Sequence, residues 1–210
     1  MNKKQISNST FLRMPGYLNY LKTLPENRKT ISATMIADAL NLGDVLVRKD
    51  LAKISRGGRP RVGYLRENLI SDIEEFMDIK SILNAVVIGK EDFIRLFLEY
   101  DGFEKFGIYI KAGFDNVIKE NFLSEKTIYP LDKLECYCKE NQVSLAILMC
   151  SKDEAQEICD KITSSGISAI WNFTPAYLDV PSNVILHNEN MSSSAVKLRM
   201  QVKKLNKDNI

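Results

Sequence analysis

Histidine is nearly absent from the chain: one residue, His187, in 210. With no tyrosine-lysine pair at catalytic spacing either, the groups that usually move protons beside a cofactor are missing, and an oxidoreductase or other enzyme is not expected. Four cysteines (Cys136, Cys138, Cys150 and Cys159) are too few for a disulfide scaffold in a chain of this length. Cys136 and Cys138 are one residue apart and the single histidine lies far along the chain, so the close ligand pairs of a structural zinc site are lacking and no metal is expected. No run of about 18 apolar residues occurs, and the opening MNKKQISNSTF has charge without an apolar segment behind it. Neither a membrane span nor a signal peptide is expected, and the cytoplasm is the expected compartment.

What is present is ordinary in amount and uneven in arrangement. Hydrophobic residues make up 45% and charged residues 27% of the chain, enough apolar material for two cores. The net charge of +2 hides a polarity: residues 1–66 hold thirteen Lys+Arg against four Asp+Glu, a net +9, and the remainder carries −7. A basic module fused to an acidic one directs a polyanion to the first part only.

The basic third reads as short helices. Thr10 is expected to cap a first helix, with Leu18, Leu21 and Leu24 at helical spacing and Pro25 ending it. Ser32 is expected to cap a second, Ala33 to about Leu40, followed by the stop residues Asn41 and Gly43. Asp44 is expected to cap a third, Val45 to Ile54, with Val47, Leu51 and Ile54 inward and Arg48, Lys49 and Lys53 outward. Two helices joined by a tight turn, the second with a basic outer face, form a helix-turn-helix whose second helix enters a major groove. The stretch Ser55 to Tyr64 follows, with Arg56, Arg59 and Arg61 among glycines and a proline, and it reads as a wing suited to a minor groove. Its Gly58-Arg59-Pro60 is similar to the core of an AT-hook.

After an amphipathic helix over residues 65–80, short apolar runs alternate with helical segments. Ala85 to Ile88, Ile108 to Ala112, Leu145 to Met149, Ile167 to Trp171 and Val184 to Leu186 read as strands of a parallel sheet with crossover helices. Ser151-Lys-Asp-Glu154 reads as a capping box opening one of these helices. Ser192 to Lys204 is amphipathic again and needs an apolar surface to cover. The fold expected is α/β: a winged helix over 1–80, a Rossmann-like sensor domain over 81–190, and a C-terminal helix over 191–210.

Arg13-Met-Pro-Gly-Tyr17, Val47-Arg48-Lys49-Asp50-Leu51, Val62-Gly63-Tyr64, Tyr100-Asp-Gly102-Phe103, Phe114-Asp115, Tyr129-Pro130-Leu131-Asp132, Asn172-Phe173-Thr-Pro175 and Val180-Pro181 stand in an order and spacing that is not common. On these pieces the chain resembles, almost end to end, the redox-sensing transcriptional repressor family called Rex, in which a winged helix precedes an NAD(H)-binding Rossmann domain. The resemblance implies a homodimer that reads a palindromic DNA operator, an exchanged C-terminal helix, and release of DNA on NADH binding. By position it implies major-groove contacts from Arg48, Lys49 and Lys53, minor-groove or backbone contacts from Arg56, Arg59 and Arg61, and Arg13 as a link between the DNA-binding domain and the sensor.

The dinucleotide fingerprint departs from the family. Where G-x-G-x-x-G is expected the chain reads Gly89-Lys90-Glu91-Asp92-Phe93-Ile94, so Glu91 and Ile94 stand for the second and third glycines. Two carboxylates near a pyrophosphate would each oppose it by on the order of 1 to 4 kcal/mol, which Lys90 would offset in part. Asp115, positioned to hold a ribose, is retained, and Tyr100, Asn172, Phe173 and Pro175 complete the expected pocket. The acid that pairs in relatives with the tyrosine matching Tyr100 is Asn190 here. NAD(H) is therefore the cofactor the resemblance implies, with binding expected to be lost or weak. A binding module for coenzyme A or another small ligand, without operator-specific DNA binding, is the alternative of a different class.

Overall fold

The computed structural model describes residues 7–115, 121–123 and 126–207. The first six and the last three positions of the chain lie outside it, and with them Lys3 and Lys4 of the basic count and the end of the expected C-terminal helix. The chain divides into two units, Met1–Ser81 and Ile82–Ile210.

The first unit is helical with one small ribbon. α1 (Asn8–Phe11) and α2 (Met14–Thr23) are separate helices. Ser7, not Thr10, supplies the side-chain cap of α1, and Pro15 in the first turn of α2 fits there because an N–H at that point has no helical partner. β1 (Thr30–Ile31) precedes α3 (Ala33–Ala39), which Ser32 caps by accepting from the Met35 N–H at 3.1 Å. α4 (Asp44–Ile54) begins one residue earlier than expected: Gly43 is its cap, and Asp44 is its first helical residue. β2 (Tyr64–Leu65) pairs antiparallel with β1, and α5 (Arg66–Met77) closes the unit. Met14, Tyr17, Leu18 and Leu21 of α2, Ile36 of α3, Val47 and Leu51 of α4, and Leu69 and Ile73 of α5 are buried. Each set recurs at helical spacing, so each helix gives one face to a shared core.

The second unit is a seven-stranded sheet. Its strands are β3 (Leu83–Gly89), β4 (Ile108–Asp115), β5 (Asn121–Leu123), β6 (Lys126–Pro130), β7 (Val143–Met149), β8 (Ala169–Asn172) and β9 (Ile185–Asn188). The order is β5-β6-β4-β3-β7-β8-β9, all parallel except β5, which pairs antiparallel with β6 at the edge. Leaving out β5, this is the doubly wound order in which the winding reverses between β3 and β7, and ligands of such folds bind outside the carboxyl ends at that reversal. Val86 and Ile88 face a core shared with α7 (Leu134–Asn141) and α8 (Ala155–Ser164), whereas Ala85 and Val87 face α6 (Glu91–Glu99) through Ile94, Phe97 and Leu98. Burial on both faces explains why these strands read as apolar runs instead of alternations.

Three expectations need correcting here. β5 and β6 were not foreseen, because only Ile128 of β6 is buried and its ends are Lys126 and Pro130. β8 starts at Ala169, two residues late, and β9 is shifted one residue to Ile185. The capping box is not formed: Ser151 Oγ donates to Glu154, but residues 152–154 are a turn, and α8 starts only at Ala155 with no side-chain cap. The last helix, α9 (Met191–Lys207), is exposed along its described length, with Val196, Leu198, Met200, Val202 and Leu205 all open.

Candidate nucleic-acid interface and sensor turn

α4 carries Arg48, Lys49 and Lys53 on its exposed side, opposite the buried Val47 and Leu51. Both of its carboxylates are engaged. Asp44 accepts from Thr34 Oγ1 of α3 at 2.9 Å and pairs with Arg48 at 2.9 Å. Asp50, only 1% exposed, accepts from Arg13 Nε at 2.7 Å and Arg13 Nη2 at 3.0 Å, from Tyr17 Oη at 2.9 Å and from Thr10 Oγ1 at 2.9 Å. Burial pushes the Asp50 carboxyl up, but the three hydrogen-bonding partners, Arg13 first, hold it below the usual carboxylate range. The same burial, with Asp50 alongside, pushes the Tyr17 phenol up to about 12.

This cluster gives Arg13 a role inside the first unit. Its guanidinium forks onto Asp50 within the first unit and so fixes α4 against α1 and α2. Lys53 is also drawn in, donating to Thr10 Oγ1 at 3.3 Å while its stem stays exposed. Thr10, Tyr17 and Asp50 escaped sequence reasoning. Thr10, Arg13 and Tyr17 recur at i, i+3, i+7, a polar face within an apolar region, but nothing local points to a partner 33 to 40 residues away.

The wing is a short hairpin. Arg59 and Gly63 exchange backbone hydrogen bonds, 2.9 Å each way, and Arg61 at its end adopts φ 64°. Gly63 has φ 84°, and a Cβ there would collide with the Ile31 carbonyl, so the return of the hairpin onto β1 needs glycine. Arg56, Arg59 and Arg61 are all exposed.

In the second unit, Gly89 ends β3 beside Met149 of β7, at the reversal of winding. A Cβ at Gly89 would run into the Met149 carbonyl oxygen, so this first glycine of the turn is required by its neighbour strand. Lys90 caps α6, Glu91 and Asp92 form its first turn, and Glu91 pairs along the helix with Arg95, whose Nε lies 2.9 Å from Oε1. Ile94 is not at the phosphate-facing turn. It is fully buried and sits in the space left by the missing Cβ of Gly113 on β4, with Ile128 beside it. Helix and strand thus approach closely here with the glycine on the strand instead of on the helix.

Asp115, 6% exposed, ends β4 opposite Pro130. Asn172 is fully buried and occupied by its own loop: its amide donates to the Ala176 carbonyl at 3.1 Å and to Asn188 Oδ1 at 2.8 Å, and its oxygen accepts from the Thr174 N–H and hydroxyl. It shapes the loop and offers no free group to a pocket. Phe173 joins Phe93, Phe97, Phe103 and Trp171 in an aromatic cluster over α6, and Pro175 is exposed. Tyr100, 56% exposed, packs edge-on to Phe103 with centroids 4.9 Å apart. Asn190 Oδ1 accepts from the Ser193 N–H at 3.0 Å and so caps the start of α9, a task that needs no charge. The residues present fit a pyrophosphate only in part: Gly89 leaves the required space, whereas Glu91 and Asp92 put two carboxylates into the first turn of α6. Among the described residues no group of three His, Cys, Asp or Glu is placed to hold a metal ion, and no helix is long and apolar enough to cross a membrane.

Comparison with known proteins agrees with both units. Residues 5–52 match the family described as "Putative DNA-binding protein N-terminus", and residues 80–176 match the CoA binding domain. The redox-sensing transcriptional repressor Rex 2 of Thermotoga maritima is 34% identical over 199 residues, which cover 93% of this chain and 96% of that protein. Rex of Treponema denticola is 36% identical over 191 residues, 89% and 90% of the two chains. Among solved structures, RSP in complex with beta-NAD+ and operator DNA superposes with a TM-score of 0.83 at 29% identity, covering 97% of this chain and 96% of that one. RSP in complex with beta-NADH gives 0.81 at 28% identity, covering 99% and 100%.

Proposed function

The chain belongs to the Rex family of redox-sensing transcriptional repressors, and we propose that it binds a palindromic operator as a homodimer, with α4 in the major groove and the Arg59–Gly63 wing in the minor groove. The observation that carries this assignment is the state of charge on α4. Asp50 is buried on Arg13 and Asp44 is engaged by Thr34, so Lys49 and Lys53 face outward beside no free carboxylate, and Arg48 meets a phosphate by exchanging Asp44 for it. Two half-sites follow from two copies, and α9, whose apolar residues stand open in one copy, is the segment assigned to hold the copies together.

NAD(H) control is weakened in this reading. Its support is the first turn of α6, where Glu91 occupies the place of a glycine that lets backbone amides approach a diphosphate. The pairing of Glu91 with Arg95 tempers its charge without removing its bulk.

Replacing Arg48 and Lys49 together by Ala tests the DNA assignment. In a gel shift against a duplex selected from a random pool by the wild-type protein, the double variant is expected to lose specific binding, and Arg59→Ala to weaken it and relax any preference for A·T-rich flanks. Unchanged binding by the double variant would remove α4 from the groove.

A further inference from the structure

The outward face of α4 is not uniformly basic. Opposite the buried Val47 and Leu51, the residues at i, i+4, i+7 on the outermost stripe are Val45, Lys49 and Ala52, all exposed. Val45 is 65% and Leu46 39% exposed, in the first turn of a helix of eleven residues. Leu46 shares its flank of the helix with Lys53, and Arg48 lies on the other flank. A reading helix presents its N-terminal residues to base edges. Val45, two thirds exposed, does not pack in the core of its unit, so folding of the domain does not account for a branched apolar side chain at that place, and Leu46 beside it is only partly covered.

We propose that Val45, with Leu46 beside it, reads the C5-methyl groups of thymines in the operator half-site, and that this apolar contact, set between Arg48, Lys49 and Lys53, is a determinant of sequence preference. The inference rests on the assignment of α4 to the major groove. The cations bring the helix to the duplex whatever its sequence, because they meet phosphate. Discrimination has to come from groups that match one base pair better than another, and in the major groove the thymine methyl is the one apolar feature. A valine or leucine offers no hydrogen bond to guanine or cytosine edges and leaves their donors and acceptors unmatched. Of the two acids of α4, Asp50 is buried and Asp44 accepts from Thr34 Oγ1, so neither is an unengaged acceptor for cytosine.

The test deletes the methyl group from the DNA. A duplex selected from a random pool by the full-length protein is resynthesised with each thymine in turn replaced by uracil, symmetrically in both half-sites, and affinities are read by fluorescence anisotropy at one fixed salt concentration. One methyl contact per half-site is expected to be worth about fourfold, so about fifteenfold for the symmetric duplex. Wild-type protein is expected to show this loss at one or two thymine positions. Val45→Ala and Leu46→Ala are expected to bind the thymine duplex more weakly and to be indifferent to uracil at the position each one reads. Unfolding midpoints of both variants serve as the control, with Val45→Ala, the more exposed side chain, expected to leave the midpoint unchanged. Wild-type affinity unaffected by uracil everywhere, or variants that keep the full uracil penalty, would overturn the proposal while leaving α4 in the groove. Full binding by the Arg48→Ala, Lys49→Ala double variant would instead overturn the placement of the helix.

Discussion

The side chain of Ile94 fills the space that Gly113 leaves by lacking a Cβ. Helix α6 and strand β4 thus achieve through one bulky residue and one glycine the close approach that a glycine on the helix would give. The exchange is a packing device, and it predicts coupling. Ile94→Ala is expected to cost about 2–5 kcal/mol through the cavity it opens, and Gly113→Ala about 1–3 kcal/mol through overpacking. Combined, they should cost less than the two added, because the new methyl enters the vacated space. Urea unfolding of the four proteins measures the coupling, and strict additivity would contradict the contact.

Asp50 anchors α4, the helix we propose reads DNA, so its loss is expected to act on both stability and DNA binding. Asp50→Ala leaves the partly exposed Arg13 without its partner and the buried Tyr17 and Thr10 hydroxyls without their acceptor, and a cost of about 1–3 kcal/mol follows. Asp50→Asn, close in shape, should cost less yet still lower operator affinity through the orientation of α4. Equal affinity for Asp50→Asn and wild type would show that the clamp has no part in presenting the helix.

The depressed Asp50 carboxyl gives this cluster a direction in pH. A group whose folded value lies below its unfolded one contributes stability that is present above the unfolded value, about 4, and lost as pH falls through the folded value. Thermal midpoints of wild type and Asp50→Asn are therefore expected to differ at pH 6 to 7 and to draw together as pH falls below about 4. A difference that persists unchanged in acid would place its origin elsewhere than in the charge.

The thiols are expected to be slow to react. Burial pushes Cys138, Cys150 and Cys159 each up to about 11, and the hydrogen bond to Glu140 raises the exposed Cys136. At neutral pH the nucleophilic thiolate is then a minute fraction of each. Alkylation by iodoacetamide under native conditions should label Cys136 first and the others only on unfolding. Rapid labelling of Cys150 or Cys159 would indicate a reactive thiol that this environment does not provide.

Much of the first unit was legible because its signals are local: Ser32 as a cap, and the periodic spacing of Val47 and Leu51 and of Leu69 and Ile73. Thr10 was misread for the opposite reason. Its hydroxyl suits a cap, but the bond it makes is to Asp50, and Ser7 takes the capping place. The central strands were legible as apolar runs, whereas the edge pair β5 and β6, three and five residues long, is too short to show a pattern. At the sensor turn the sequence showed which glycines were missing but not what replaced their function. Only the packing of α6 on β4 reveals that Gly113 faces Ile94, since the two residues belong to different elements and meet through space alone.

Control by the dinucleotide is the central question, and calorimetric titration of the purified protein with NADH, paired with operator binding by anisotropy over the same concentrations, answers it most directly. The structure leads us to expect no resolvable heat at micromolar NADH and no release of the operator up to millimolar, with Glu91→Gly alone, and not Ile94→Gly, recovering part of the affinity. Micromolar NADH binding by the wild-type protein, with loss of operator binding over the same range, would contradict the account and show that the turn from Gly89 to Asp92 admits a diphosphate despite its two carboxylates.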